Sequence, residues 1–290
     1  MASSASKWYG MSEAVCAVCP HACVLAEGAL GVCGVRACRE GRVASLNYGC
    51  STGLALDPIE KKPLACFHPG SHILSYGSFG CNMRCPFCQN ATISTARADD
   101  APPTRFISPE RLVEEALDLE PHGNIGIAFT YNEPLVAWEY LMDAARLAHD
   151  AGLLTAAVTN GYVASDTWAQ ALPLLDAANI DLKCFTEEGY RSLGAPGGLA
   201  VVKGSIASAQ TSGVHVEVTT LVVPGLSDDE QAFEEECRWL AAVSPEIPLH
   251  ITRFFPSYQA AAKQPTPIKT LKRFQEIAKT HLHRVFLGNI

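Results

Sequence analysis

Six runs of β-forming residues, each followed by an amphipathic stretch, limit this chain to a small set of folds. The runs cover residues 73–79, 125–131, 153–160, 178–185, 214–223 and 249–255. Helical spacing follows at 135–150, 166–175, 199–212, 229–242 and 268–281. Another helix is predicted from Ser108-Pro109-Glu110 onward. There a capping hydroxyl, a first-turn proline and an early acid precede Leu112, Val113, Ala116 and Leu117 on one face. Strands joined through helices pair in parallel with right-handed crossovers. A doubly wound sheet and a partial (β/α)6 barrel both satisfy that order.

Strand faces bear on the choice. The run 214–223 places Val214, Val216, Val218, Thr220 and Val222 on one face and His215, Glu217, Thr219 and Leu221 on the other. The apolar face suits a helix layer. The polar face suits a lumen that holds a ligand better than a sheet buried on both sides. An edge strand with one wet face is the plainer alternative. The expected fold is α/β, a partial (β/α)6 TIM-like barrel.

Of 12 cysteines in 290 residues, only Cys184 and Cys237 lie beyond residue 88. That shift marks a Cys-rich N-terminal extension, residues 1–70, ahead of a core spanning 71–290. Pro58, Pro63, Pro69 and Gly70 break regular structure near the junction. Apolar residues make up 48% of the chain, enough for a sizeable core. The net charge of −8 offers no cationic footprint for nucleic acid. No stretch approaches the ~18 apolar residues of a membrane helix. The opening MASSASKWYGMSE lacks the apolar core of an export signal. The expected location is cytoplasmic, where thiols stay reduced and serve metals better than disulfides.

Directly after the first run comes Gly80-Cys81-Asn82-Met83-Arg84-Cys85-Pro86-Phe87-Cys88-Gln89-Asn90. Three thiolates so close together suit an iron–sulfur or zinc site. A closed structural site takes four protein ligands; three leave a corner open for a substrate. Loops at the C-terminal ends of barrel strands are also where active sites are built. The competing reading is a zinc knuckle that borrows a fourth ligand from elsewhere.

This Cys-x3-Cys-x-aromatic-Cys pattern resembles the signature of the radical S-adenosylmethionine (SAM) superfamily. Further segments are similar to the pyruvate formate-lyase activating enzyme-like branch, and within it to the AmmeMemoRadiSam-system radical SAM enzymes. They are Cys16-x2-Cys19-Pro20-His21-x-Cys23, Gly31-x-Cys33-Gly34-Val35-Arg36 and Asp57-Pro58-Ile59-Glu60-Lys61-Lys62-Pro63-Leu64, together with the loop 80–90. The resemblance implies that Cys81, Cys85 and Cys88 hold a [4Fe–4S] cluster whose fourth iron is chelated by SAM. It implies reductive cleavage of SAM to methionine and a 5′-deoxyadenosyl radical that abstracts hydrogen from a substrate. A one-electron donor such as flavodoxin or ferredoxin is implied as well.

The same resemblance assigns a SAM site. Thr130-Tyr131-Asn132-Glu133-Pro134 occupies the place of the family's Gly-Gly-Glu, whose carbonyls receive the SAM ammonium, so Tyr131, Asn132 and Glu133 are cofactor-binding candidates. Asn160, in Thr159-Asn160-Gly161, resembles the family's Thr-Asn-Gly turn near SAM, and His250 is similar to a histidine near the adenosyl group. Asp181 and Lys183 match an Asp-x-Lys of the activating enzymes. Two apart on the run 178–185, they point the same way, and such charges in a lumen need pairing or a charged ligand. A mutual ion pair is the alternative. Thr219 departs from the branch, which tends to carry Arg there.

Cys16, Cys19, Cys23 and Cys33 form a second set. Four thiolates can close a site, and an auxiliary iron–sulfur cluster, zinc and free buried thiols all remain open. Cys38, Cys50, Cys66, Cys184 and Cys237 read as ordinary buried residues. Two substrates fit the resemblance: a backbone glycine of a partner protein, as in activating enzymes, or a small molecule. The non-enzymatic alternative is an iron–sulfur electron carrier or metal-binding adaptor.

Overall fold

One eight-stranded sheet carries the molecule, and its strands lie side by side in chain order. The structure is a computed structural model that describes residues 13–290. The stretch before Glu13, read above as lacking an export signal, lies outside the described residues. We number the strands β1 (Gly53–Pro58), β2 (His72–Gly77), β3 (Asn124–Thr130), β4 (Leu154–Thr159), β5 (Ala177–Asp181), β6 (His215–Val222), β7 (Leu249–Arg253) and β8 (Val285–Gly288). From β2 to β8 every neighbour is parallel, whereas β1 pairs antiparallel with β2. β1 and β8 are the two edges, and the strands follow chain order without the reversal of a doubly wound sheet, so of the two folds that the alternation allows the partial barrel is the one formed.

All six predicted strands are present, with shifted ends. The largest shift concerns β5, which stops at Asp181 rather than running to 185. The backbone N–H of Lys183 donates to the Tyr190 hydroxyl at 3.2 Å instead of to a neighbouring strand. Thr186 then caps a helix, Glu187–Ser192, that the sequence reading did not anticipate. The Pro109–Asp118 helix starts as predicted, with the Ser108 side chain accepting from Arg111 N–H.

β6 is an interior strand between β5 and β7, which rules out the wet-edge alternative. Val216, Val218 and Val222 pack into the main core beneath the helices. Thr219 and Leu221, on the other face, line a cavity, and Glu217 is fully buried below them.

The segment after β1 fills one end of the barrel. Ile59, Leu64 and Phe67 pack against Ile73, Ala128, Ala156 and Ala177 from four strands, and the small alanines make room for them. Asn179 Nδ2 donates to the Pro63 carbonyl at 2.9 Å. Glu217 accepts from the N–H groups of Ala65 and Cys66 at 3.1 and 2.7 Å. β1 lies on the extension's side of residue 70 yet is hydrogen-bonded into the main sheet. Earlier residues form two hairpins, Glu13–Val15 with Val24–Ala26 and Arg36–Arg39 with Arg42–Ser45. Among the described residues, no helix is long and apolar enough to cross a membrane.

Candidate active site

Every strand from β3 to β8 ends at one cavity of about 790 Å³. Cys81, Cys85 and Cys88 line it from the loop after β2. Tyr131, Asn132 and Glu133 enter after β3, Asn160 after β4, Asp181 and Lys183 at the end of β5, and His250 from β7. All of the single-residue candidates from the sequence, apart from the N-terminal cysteines, therefore face one space.

The cysteine loop is held from several sides. Arg84 donates to the carbonyls of Cys81 and Met83 at 2.7 and 2.9 Å and also reaches the carbonyl of Val32. Met83 N–H points at Cys81 Sγ (3.4 Å), as does Asn160 Nδ2 (3.6 Å). Cys88 Sγ lies 3.1 Å from Ser94 Oγ. Burial raises the Cys81 thiol well above its ordinary value and pushes Cys85 up to about 11, the Lys183 ammonium pulling the other way. Thiolates here need a cation, which a bound iron supplies. Among the described residues, no three His, Cys, Asp or Glu side chains gather tightly enough for one metal ion. A cubane cluster does not ask for that, because each cysteine ligates a different iron. The three free thiols on the cavity wall thus fit such a cluster.

Glu133 organises the wall beside the loop. Its carboxylate accepts from Leu135 N–H at 3.0 Å, Thr159 Oγ1 at 2.8 Å and Asn160 N–H at 2.8 Å. Burial pushes it up to about 7, against those hydrogen bonds. Asn160 Nδ2 in turn donates to Asn82 Oδ1 at 2.9 Å, tying β4 to the cysteine loop.

The comparisons with known proteins agree with this geometry. The family model described as the radical SAM superfamily matches residues 76–237. The chain belongs to that superfamily. It is 36% identical over 277 residues to an uncharacterized protein of Methanocaldococcus jannaschii, covering 95% of this chain and 81% of the relative. It is 26% identical over 156 residues to the pyruvate formate-lyase-activating enzyme of Clostridium pasteurianum, covering 52% of this chain and 62% of that enzyme. This supports the activating enzyme-like branch. A radical SAM methyltransferase from Sphaerobacter thermophilus shares the fold, with TM-score 0.59, 15% identity and coverage of 76% of this chain and 67% of that one. Streptococcus suis SuiB bound to S-adenosylmethionine gives TM-score 0.54 at 11% identity, covering 72% and 48%.

Within this radical SAM barrel the charged candidates are paired. Lys183 Nζ meets Asp181 Oδ2 at 2.5 Å, the mutual ion pair that the sequence left as an alternative. Burial opposes the Lys183 charge, but Asp181 and the nearby thiols hold its pKa above the ordinary value. His250 pairs with Glu217 at 2.6 Å, and its ring stacks on Phe286 with centroids 5.2 Å apart.

Two features escaped the sequence reading. Lys62, 3% exposed, lines the same cavity as Lys183 and donates to Asp57 at 2.8 Å. It comes from the segment that fills the barrel, so no strand periodicity announces it. Tyr131 has φ +72°, a left-handed conformation that costs a non-glycine residue about 1–2 kcal/mol. Tyrosine thus adopts here a backbone shape that glycine takes freely.

The N-terminal cysteines lie close to the cluster loop. His21 Nε2 sits 2.8 Å from the Asn82 carbonyl. Cys16 and Cys33 are buried and Cys19 and Cys23 half-buried. Cys19 is pushed up to about 11, chiefly by burial, with the Cys16 and Cys33 thiols contributing. Val32 N–H points at Cys23 Sγ at 3.5 Å. Arg36 interacts with Cys16 and pairs with Glu139 at 2.6 Å. Cys38, Cys184 and Cys237 are buried as expected, while Cys50 and Cys66 are only half-buried.

Proposed function

We propose that this protein binds a [4Fe–4S] cluster through Cys81, Cys85 and Cys88 and cleaves SAM reductively to start radical chemistry on a substrate. The observation that carries the proposal is the meeting of those thiols with Tyr131, Asn132, Glu133, Asn160, Asp181, Lys183 and His250 in one cavity. When bound, the cluster supplies the electron that splits SAM into methionine and a 5′-deoxyadenosyl radical, which takes a hydrogen atom from the substrate. Lys183 is the counter-charge for the SAM carboxylate, and Asp181 faces its ribose or cationic groups. Asn160 stands by SAM and His250 by its adenosyl part. Glu133 fixes the strand ends, and the floor at Lys62 and Pro63 helps to keep water out.

The substrate reading that we favour is a protein backbone glycine. Likeness to a pyruvate formate-lyase-activating enzyme supports it, and SuiB, of the same fold, is known bound to its precursor peptide SuiA. A small molecule is the second reading, favoured by Thr219 standing on the cavity wall where the branch tends to carry Arg. The motifs shared with the AmmeMemoRadiSam enzymes fit either. An electron carrier or metal-binding adaptor would have no use for a cavity lined by Asp181 and Lys183. We further propose a cytoplasmic protein served by a flavodoxin or ferredoxin.

The test is anaerobic reconstitution with iron and sulfide, followed by SAM and dithionite. The parent protein should produce 5′-deoxyadenosine, and the triple Cys81, Cys85, Cys88→Ala variant should not. Equal production by both would overturn the proposal.

A further inference from the structure

Tyr131 follows β3 directly, and its left-handed backbone is fixed from both ends. Its carbonyl accepts from Asn90 Nδ2 at 2.8 Å. The next residue, Asn132, donates its N–H to the Thr130 carbonyl at 3.0 Å and its Nδ2 to the Gly80 carbonyl at 2.9 Å. The side chain reaches β1. There the hydroxyl donates to Asp57 Oδ2 at 2.7 Å. Lys62 Nζ stands 4.5 Å from the ring centroid. Gly77 of β2 provides the notch, since a Cβ at that position would lie 2.5 Å from Tyr131 Cδ2.

Asp57 is a saturated hub. Besides Tyr131 it accepts from Lys62 at 2.8 Å, Ser75 Oγ at 2.9 Å and Lys61 at 2.9 Å, and it is 5% exposed. Four donors hold the carboxylate in one place, and Lys62, itself 3% exposed, has Asp57 as its ion-pair partner. Such a group moves little, so it can hold a tyrosine in a conformation the backbone disfavours.

We infer that Asp57 and Lys62 form a latch on Tyr131 that keeps the segment 130–133 in the shape that receives the SAM ammonium. Asp57 and Lys62 are positioning residues: they act through Tyr131. The inference rests on the SAM site proposed above. It gives the Asp57–Leu64 motif a task in that site: a residue with a side chain sits where glycine would serve, and the motif supplies the restraint that glycine does not need.

A packing role and a latch role predict opposite orders for two substitutions. Tyr131→Phe removes the hydroxyl and leaves the strain. Tyr131→Gly removes both the latch and the strain. SAM affinity of the cluster-loaded protein is measured anaerobically by equilibrium dialysis, with iron content checked for each variant. The latch predicts a loss of about tenfold for Tyr131→Phe and a recovery of most of it in Tyr131→Gly. It also predicts that Asp57→Asn weakens SAM binding at least about fivefold in the parent but less than about twofold in the Tyr131→Gly background. Thermal stability should move the other way, with the glycine variant the least stable. Hydrogen exchange of the metal-free protein should speed up at 130–133 in Tyr131→Phe. Parent-like affinity in Tyr131→Phe, or glycine binding more weakly than phenylalanine, overturns the latch while leaving the SAM site intact. Failure of the loaded parent to bind SAM overturns both.

Discussion

The Glu217 carboxylate and the His250 ring meet at 2.6 Å, and the same carboxylate holds the backbone of Ala65 and Cys66. One buried acid therefore ties a cavity-lining histidine on β7 to the segment that closes the barrel. Burial alone would raise the acid. Hydrogen bonds from His215, His250 and Cys66 N–H bring it down to about 2 instead. The group's folded-state pKa lies below its ordinary value of 4.5. Its contribution is thus fully present above pH 4.5 and lost as pH falls towards 2, worth ~3 kcal/mol over that window. Glu217→Gln should cost about 3 kcal/mol in urea unfolding at pH 7 and flatten the acid limb of the stability curve. An unchanged acid limb would remove Glu217 as its source.

Lys183 offers a test of the SAM wall. Lys183→Met keeps much of the stem and deletes the charge. SAM affinity of the loaded protein should fall by about 1.5–3 kcal/mol, as for one lost charge-assisted hydrogen bond. Iron content should stay normal, because Lys183 is not a ligand. Asp181→Asn should have a smaller effect, since an amide still hydrogen-bonds ribose. If Lys183→Met binds SAM as tightly as the parent, this wall does not belong to the SAM site.

The lumen was legible because strand periodicity is two. Alternation in 214–223 put Thr219 and Leu221 on the inner face, and they line the cavity. Asp181 and Lys183 were legible for the same reason, although the strand ends between them. β1 and β8 were not read as strands. β8 has four residues, and β1 opens with glycine and closes with Asp57-Pro58, which read as a break. The motif holding Lys62 and the candidate Tyr131 were both visible in the sequence, but their contact through Asp57 was not. That contact depends on a non-repetitive segment folding into the barrel, and on tertiary restraints that hold a left-handed residue.

Glu236 gives a pH effect of opposite sign. It is 1% exposed, on the helix Glu230–Val243, and the Thr220 hydroxyl donates to it. Burial pushes it up to about 8, against that one hydrogen bond. A folded-state pKa raised above the ordinary 4.5 makes the fold most favourable below pH 4.5. That advantage is lost as pH rises through 8. Glu236→Gln keeps an acceptor for Thr220 without an ionisable proton. The variant should match the parent near pH 5 and exceed it in melting temperature at pH 8. A parent that melts no lower at pH 8 than at pH 5, relative to Glu236→Gln, would show that the acid is not buried in its neutral form.

The N-terminal thiols can be tested independently of the SAM cluster. The Cys16 and Cys33 thiols both act on Cys19, and Cys23 Sγ takes the N–H of Val32 next to Cys33. The largely buried Arg36 guanidinium interacts with Cys16, where it would favour a thiolate. Four cysteines suit either an auxiliary iron–sulfur cluster or a closed zinc site, and the cluster is the expected occupant. In the triple Cys81, Cys85, Cys88→Ala variant, reconstitution should leave iron and acid-labile sulfide in equal amounts. Replacing Cys16, Cys19, Cys23 and Cys33 by Ser in that background should remove both. Zinc in place of iron would make the site a closed structural one, and absence of any metal would show that the four cysteines share none. Because His21 touches the Asn82 carbonyl at 2.8 Å, loss of this metal should also loosen the loop 81–88. Hydrogen exchange there, compared between parent and the four-Ser variant, reads that coupling directly.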